Sequence, residues 1–323
     1  MADIAGESPA ISRPQRRSAE EIARTLTTET SARWSERVIG KVLLASGLLS
    51  IATTVGIIFV LLDESVRFFG EVSIVSFLFG TEWTALFKDP KFGVLPLVGA
   101  TLLISVLSMV VAIPIGLMSA IFLSEYASPR ARSFLKPTLE LLAGIPTIVY
   151  GYFALTFITP VLLKPLVPNV GVYNALSAAL AVGIMVVPLV ASLSEDALQA
   201  VPRALREGGY ALGGTRMEVA LKVLAPAALS GIVASFILAI SRAIGETMIV
   251  TLAAGSKPQL TLDPREAVQA MTGYIVQVLS GDVVAGSTVY RSLFAVGLLL
   301  FAMTLLMNII SRALVARFRE AYE

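Results

Sequence analysis

The stretch 195–226, EDALQAVPRALREGGYALGGTRMEVALKVLAP, is a polar, charged segment set between two strongly apolar runs. Outward from it, apolar runs of roughly 20 residues recur, long enough to cross about 30 Å of hydrocarbon at about 1.5 Å per residue. Six are found, at approximately 39–62, 94–123, 139–163, 172–193, 229–253 and 292–311. In lipid each run has to satisfy its own backbone, which predicts helices; a membrane barrel would show short alternating segments, and none occurs. Composition agrees: of 323 residues 56% are hydrophobic and 15% charged, and the mean hydropathy is +0.81. Such a chain is too apolar for a water-soluble domain. The expected fold is an all-α polytopic membrane protein with six transmembrane helices.

Charge predicts the orientation. With the N-terminus inside, seventeen Lys and Arg fall on the cytoplasmic side and seven on the other, with Arg242 inside a span. That asymmetry predicts both termini, and the loop 195–228, in the cytoplasm. The expected organisation is a polar cytoplasmic tail over 1–38, then a membrane domain over 39–323 with external segments at 63–93 and 254–291. So long a tail does not fit the short basic region of a cleaved signal peptide, and the first span reads as a signal-anchor. Residues 20–38 fit either an interfacial helix anchored by Trp34 or a disordered tail. A helix is predicted over 264–279, with Asp263 as N-cap, Pro264 at its first position and Glu266 in its first turn.

Several chemistries are excluded. A net charge of +2 gives no basis for nucleic-acid binding. With no Cys and no His there is no disulfide, thiolate nucleophile, Cys/His metal site or histidine switch. No catalytic residue, metal or cofactor is expected. The phosphate-cradling motif G-x-x-x-x-G-K-[ST] is absent, so any ATP hydrolysis belongs to another polypeptide.

Within the polar loop, Glu207-Gly208-Gly209, three residues, Gly213, nine residues, then Val223-x-Ala-Pro226 follow one another. This spacing resembles the EAA loop of bacterial ABC importer permeases, with Gly at both Ala positions and Ala225 in place of Leu. The resemblance implies that Glu207, Gly208, Gly209, Gly213 and Pro226 belong to an element gripped by a separate ATPase. The glycines permit close backbone approach and a turn with positive φ. Thr215 is placed to cap a second helix from Arg216, with Glu218 completing a capping box, and Pro226 marks the start of the next span. Glu195 and Asp196 read as solvated or capping.

The runs at 101–127 (TLLISVLSMVVAIPIGLMSAIFLSEYA), 141–155 (LLAGIPTIVYGYFAL), 186–202 (VVPLVASLSEDALQAVP), 241–250 (SRAIGETMIV) and 269–282 (QAMTGYIVQVLSGD) resemble the phosphate-specific ABC transporter permeases, in particular the PstC-type subunit. The similarity covers roughly residues 40 to 315 and implies a type I ABC importer permease fold. It also implies a sibling permease in a heterodimer, two copies of a cytoplasmic ATP-binding subunit and an external phosphate-binding protein, in the bacterial cytoplasmic (inner) membrane.

Arg242 and Glu246 lie four residues apart near the middle of the fifth span, a spacing that places them on one helical face. Arg at the centre of a bilayer costs roughly 2.5–3.5 kcal/mol on insertion scales, so it normally faces protein or a wet cavity. A guanidinium presents a planar fork suited to phosphate oxygens. In the family these two look like the charged pair on the phosphate pathway. Glu246 either neutralises Arg242 or discriminates: phosphate at neutral pH still carries a proton to donate, and sulphate does not. Thr247 either offers its hydroxyl to substrate or bonds its own helix carbonyl. Pro146 and Pro188 are expected to kink their spans, and Tyr150 and Tyr152 to pack.

The reading is a non-catalytic permease subunit of an ATP-driven phosphate importer. The alternatives are a permease for sulphate or molybdate, a secondary anion carrier, or a phosphate-sensing membrane scaffold. The EAA-like spacing and the lack of a detectable repeat count against a secondary carrier.

Overall fold

The computed structural model describes residues 30–318, with the side chains of 36–313. The tail 1–29 and residues 319–323 lie outside the described residues, and so does most of the 20–38 segment. Two compact units divide the chain, one ending at Phe59 and one beginning at Val60. The first contains the opening stretch of helix α1 (Thr30–Glu71), an apolar run without internal breaks. The helix continues to Glu71, beyond the expected end at Leu62, because no Gly–Pro or capping signal stops it there.

The second unit continues with α2 (Ile74–Phe79), α3 (Leu95–Tyr126), α4 (Pro129–Ala143), α5 (Thr147–Leu166), α6 (Ala175–Gln199), α7 (Arg203–Ala211), α8 (Arg216–Ala227), α9 (Leu229–Ile244), α10 (Met248–Ala253), α11 (Met271–Ser280) and α12 (Thr288–Phe318). Among the described residues five helices are long and apolar enough to cross a membrane, and counting α8 and α9, bent by 78°, as one broken span makes six. Helix α6 is the most buried of them. Small side chains let its neighbours approach: a Cβ on Gly116 of α3 would lie 2.7 Å from the Val190 side chain, and one on Gly183 would lie 3.1 Å from the Ser108 carbonyl. Close backbone approach at small residues is how helices pack where lipid offers no hydrophobic drive.

Three expected elements differ. The third span, expected over 139–163, is two helices: α4 ends at Ala143, and α5 starts after Gly144 and Pro146. The fifth, expected as one helix over 229–253, stops at Ile244 and resumes at Met248, with Gly245 as the C-cap. The helix over 264–279 begins only at Met271. Its expected first turn is used elsewhere. The carbonyls of Pro264, Arg265 and Glu266 accept from the backbone N–H groups of Leu176 (2.8 Å), Gly171 (3.2 Å) and Ala175 (3.0 Å). Together with the Asn174 side chain, which accepts from Ser177 N at 2.7 Å, they satisfy the donors that the start of α6 leaves open. A helix over 264–270 would have consumed those carbonyls itself. Asp263 instead accepts from the backbone and guanidinium of Arg265, which hold its carboxyl down at about 2. Through Pro188 α6 continues as one helix.

A second core closes one end of this unit. Phe68, Phe77, Trp83, Phe92 and Tyr274 meet edge to face, Trp83 and Tyr274 with centroids 4.8 Å apart, against Leu293 and Val296 of α12. Trp83 and Phe92 are paired by an antiparallel bridge that folds the segment back on itself. The backbones of Gly80 and Gly93 touch: a Cβ on either would lie 2.6 Å from the Cα of the other. We expect Gly93→Ala to lower the melting temperature of the detergent-solubilised chain, overpacking of this kind costing about 1–3 kcal/mol. Gly208→Ala, where a Cβ meets nothing within 4 Å, should be neutral or stabilise by up to about 1 kcal/mol. Equal melting temperatures for the two variants would contradict this.

Candidate functional site

The break between α9 and α10 holds the charged residues picked out from the sequence. An α9 continuing past Ile244 would have set Glu246 beside Arg242. At Gly245 the helix ends instead, and Glu246 turns inward, 7% exposed. Its Oε1 accepts from the backbone N–H of Met248 (3.1 Å) and of Ile249 (3.2 Å). It therefore caps the start of α10, replacing partners that the interrupted helix no longer supplies. Its backbone carbonyl accepts from the buried Thr272 hydroxyl at 2.7 Å. Among the described residues Oε2 has no hydrogen-bond partner.

Arg242 is exposed, with Nη2 3.8 Å from Sδ of the buried Met185, and no ion pair joins it to Glu246 among the described residues. The expectation of an intrachain charged pair on one helical face is thus corrected; the helix stop at Gly245 is the cause. Thr247 sits in the break with its hydroxyl donating to the Gly245 carbonyl at 3.2 Å.

The interruption at 144–146 is repaired similarly. The Tyr150 hydroxyl donates to the Leu142 carbonyl at 2.9 Å, an acceptor it shares with the backbone N–H of Ile145 at 3.3 Å, and so ties α5 back to the end of α4. Tyr150 is thus more than the packing residue expected. Next to it, Gly151 lets α5 lie close on α10: a Cβ there would be 2.9 Å from the Leu252 side chain and 3.2 Å from Ile249 Cα.

The polar loop folds as two helices around a glycine turn. Gly213 has φ +82°. Gly213 N donates to the Tyr210 carbonyl (2.9 Å) and Gly214 N to the Gly209 carbonyl (3.2 Å). This paired pattern is the Schellman ending of a helix. The expected capping box follows: Thr215 Oγ1 accepts from Glu218 N at 3.3 Å, and Glu218 Oε2 accepts from Thr215 N at 3.1 Å. Glu207 and Gly208 are exposed, whereas Gly209 and Gly214 face Val219. Pro226 lies just before the 78° bend into α9.

Polar contacts tie this loop to the bundle. The Glu125 side chain, 3% exposed, pairs with Arg206 at 3.1 Å and accepts from the Tyr210 hydroxyl at 3.0 Å. Burial, and then that bond to Glu125, push the Tyr210 phenol above its ordinary pKa, so it remains a donor. Glu195 is fully buried between Arg132 and Lys136, and Lys136 also reaches Asp196. Neither acid is merely solvated or capping; they fasten α4 to the end of α6.

Residues 112–320 match the family described as binding-protein-dependent transport system inner membrane component. The chain belongs to that family. It is 32% identical over 299 residues to the probable ABC transporter permease protein YqgH of Bacillus subtilis, covering 92% of this chain and 96% of that protein. It is 31% identical over 275 residues to the phosphate transport system permease protein PstC of Haemophilus influenzae, covering 80% and 84%. To PstC 1 of Mycobacterium tuberculosis it is 33% identical over 249 residues, covering 70% and 73%. These similarities identify a PstC-type permease, a non-catalytic multi-pass membrane subunit of an ABC importer. Such permeases imply a partner permease, an ATPase and a periplasmic binding protein.

The fold is shared with solved importers. The TM-score is 0.61, at 15% identity over 88% of this chain and 97% of that one, to a bacterial alginate ABC transporter in complex with its alginate pentasaccharide-bound periplasmic protein. It is 0.53, at 18% identity over 71% and 95%, to an inward-facing MetNI methionine transporter.

Sequence reasoning missed Glu125, Tyr150 and Thr272. A buried carboxylate at the end of an apolar run, four residues before the Pro of 129, carries no spacing rule. Tyr150 could have been found from the Gly144/Pro146 interruption just before it, which must leave carbonyls open.

The capping geometry sets a measurable expectation. Glu246→Ala should destabilise the solubilised chain by about 1–2 kcal/mol through loss of the α10 cap, and Glu246→Gln, which keeps an acceptor, by less. Because Arg242 and Glu246 are unpaired, the effects of Arg242→Ala and Glu246→Ala should add to within about 0.5 kcal/mol. A larger coupling in thermal melts would restore the ion pair.

Proposed function

We propose that this chain is the transmembrane permease subunit of an ATP-driven inorganic phosphate importer in the bacterial cytoplasmic membrane. It acts with a sibling permease, two copies of a cytoplasmic ATPase subunit and an external phosphate-binding protein. The observation that carries the substrate is the similarity to PstC proteins at 31% identity over about four fifths of the chain. The site is compatible with it. Arg242 presents an unpaired guanidinium on an exposed flank beside a broken span, where a sibling permease would enclose it and an anion would meet it. Discontinuous spans are where transporters commonly build substrate sites.

On this reading both termini and the loop of α7 and α8 lie in the cytoplasm, as the Lys and Arg asymmetry favours. Exposed Glu207 and Gly208 on α7 meet the ATPase, and the turn at Gly213 and the bend after Pro226 give α7 its pose. Glu246 has a share in selectivity. Its unpartnered Oε2 accepts a hydrogen bond from the protonated oxygen of phosphate and repels sulphate, which has no proton to share. Thr247 lies in the same break and contributes through its backbone more than its hydroxyl, already donated to Gly245.

Labelled phosphate uptake in cells lacking this chain, complemented with wild type or Arg242→Ala in the presence of a protonophore, tests the proposal. Wild type should restore protonophore-resistant uptake that excess sulphate does not compete. Loss of the charged contacts in Arg242→Ala should lower uptake about tenfold or more at unchanged membrane abundance. Uptake collapsing with the protonophore would point to a secondary carrier, and competition by sulphate to a broader oxyanion permease. Glu246→Gln should narrow the preference for phosphate over sulphate; an unchanged preference would move selectivity to the binding protein.

A further inference from the structure

We propose that Glu125 is the positioning residue through which movement of α7 enters the membrane bundle. The inference rests on the reading of α7 as the helix gripped by the ATPase. Helix α7 has no buried residue of its own, so apolar packing does not fix it to the bundle. Its polar ties converge on one carboxylate. Arg206 and Tyr210, four residues apart and on one face of α7, engage opposite oxygens of Glu125: Arg206 pairs with Oε1 at 3.1 Å, and Tyr210 donates to Oε2 at 3.0 Å. The Ser124 hydroxyl donates to Oε1 at 2.9 Å, and Arg206 also donates to the Leu198 carbonyl at 3.3 Å.

The same residue reaches the second helix of the loop. Arg216 of α8 donates to the Glu125 carbonyl at 3.4 Å, and its guanidinium lies 5.9 Å from the centre of the Tyr126 ring. The end of α3 thereby holds α7 and α8 together, and α3 leads on to the broken span. Met109 and Ile113 of α3 line one apolar groove with Ile240 and Ile244, the latter being the last residue before the break. A displacement of α7 therefore pulls on α3 through a charge pair whose carboxylate is buried, and α3 bears directly on the helix end that carries Arg242. Buried pairs suit this task because breaking one partner leaves an uncompensated charge, which keeps the joint closed through the motion.

The test uses the complete transporter in liposomes: this chain, its sibling permease, the ATPase and the binding protein. Labelled inorganic phosphate delivered per ATP hydrolysed is read for Glu125→Gln, Arg206→Gln, Tyr210→Phe and the Glu125→Gln/Arg206→Gln double variant, each normalised to assembled complex. Assembly and basal ATP hydrolysis should stay close to wild type. Phosphate per ATP should fall about tenfold in Glu125→Gln and Arg206→Gln, and less in Tyr210→Phe. The double variant should be no worse than either single one, since all three remove the same pair.

Unchanged phosphate per ATP in the assembled variants overturns the inference. So do losses that multiply in the double variant, and transport losses that merely follow lost assembly in all four. A wild-type complex without ATP-dependent uptake removes the importer reading itself and this inference with it.

Discussion

Backbone N–H and C=O groups have no water to bond with in lipid, so every interruption of a spanning helix has to be repaired by the protein. Two of the runs expected as single helices are interrupted, after Ala143 and after Ile244, the span of α8 and α9 is bent by 78°, and side chains from elsewhere in the fold meet the first two breaks. Glu246 supplies the acceptor that α10 lacks at its start, and Tyr150 adds a side-chain donor to the last turn of α4. The irregular segment before α11 lends its carbonyls to the first turn of α6. Thr272, just within α11, donates to the carbonyl of Glu246, so α11 and the break hold one another in place.

That role separates two residues whose spacing suggests a pair. Glu246 spends one oxygen on two backbone donors, and no ion pair joins it to Arg242 among the described residues; the guanidinium lies instead beside Met185. In a membrane an unpaired guanidinium is costly, and no carboxylate pairs with Arg242 among the described residues; on the proposed importer reading, the sibling permease or the transported anion supplies its counter-charge.

Much of the fold was legible because apolar length and period are imposed by the bilayer itself. Spans α3, α6 and α12 lie close to where hydropathy placed them. The Schellman turn at Gly213 and the capping box at Thr215 follow from local chemistry that needs no tertiary context. The breaks were less legible, because Gly245 inside an apolar run reads as tolerated until the capping carboxylate one residue on is seen to face back. The 264–270 segment misled for the opposite reason: its local helix signals are genuine, but the start of α6 needed its carbonyls more. Glu125 and Glu195 were invisible as buried pairs since their partners, Arg206 for one and Arg132 with Lys136 for the other, are assembled by the fold across 59 to 81 residues of sequence.

The lone state of Arg242 also bears on how an anion could leave. A guanidinium neutralised within its own helix is a weak anion trap; an unpaired one holds more tightly, and throughput then depends on changing its surroundings rather than on weak binding. The position of Arg242 meets that need. It lies on the last turn of α9, whose continuation is a three-residue break rather than helix, so a tilt of α9 can move the guanidinium without dragging α10 along. The bend of 78° at the other end of α9 sets that helix between two interruptions, so on the proposed importer reading a tilt driven from the loop of α7 and α8 would present its one cation to one side and then withdraw it.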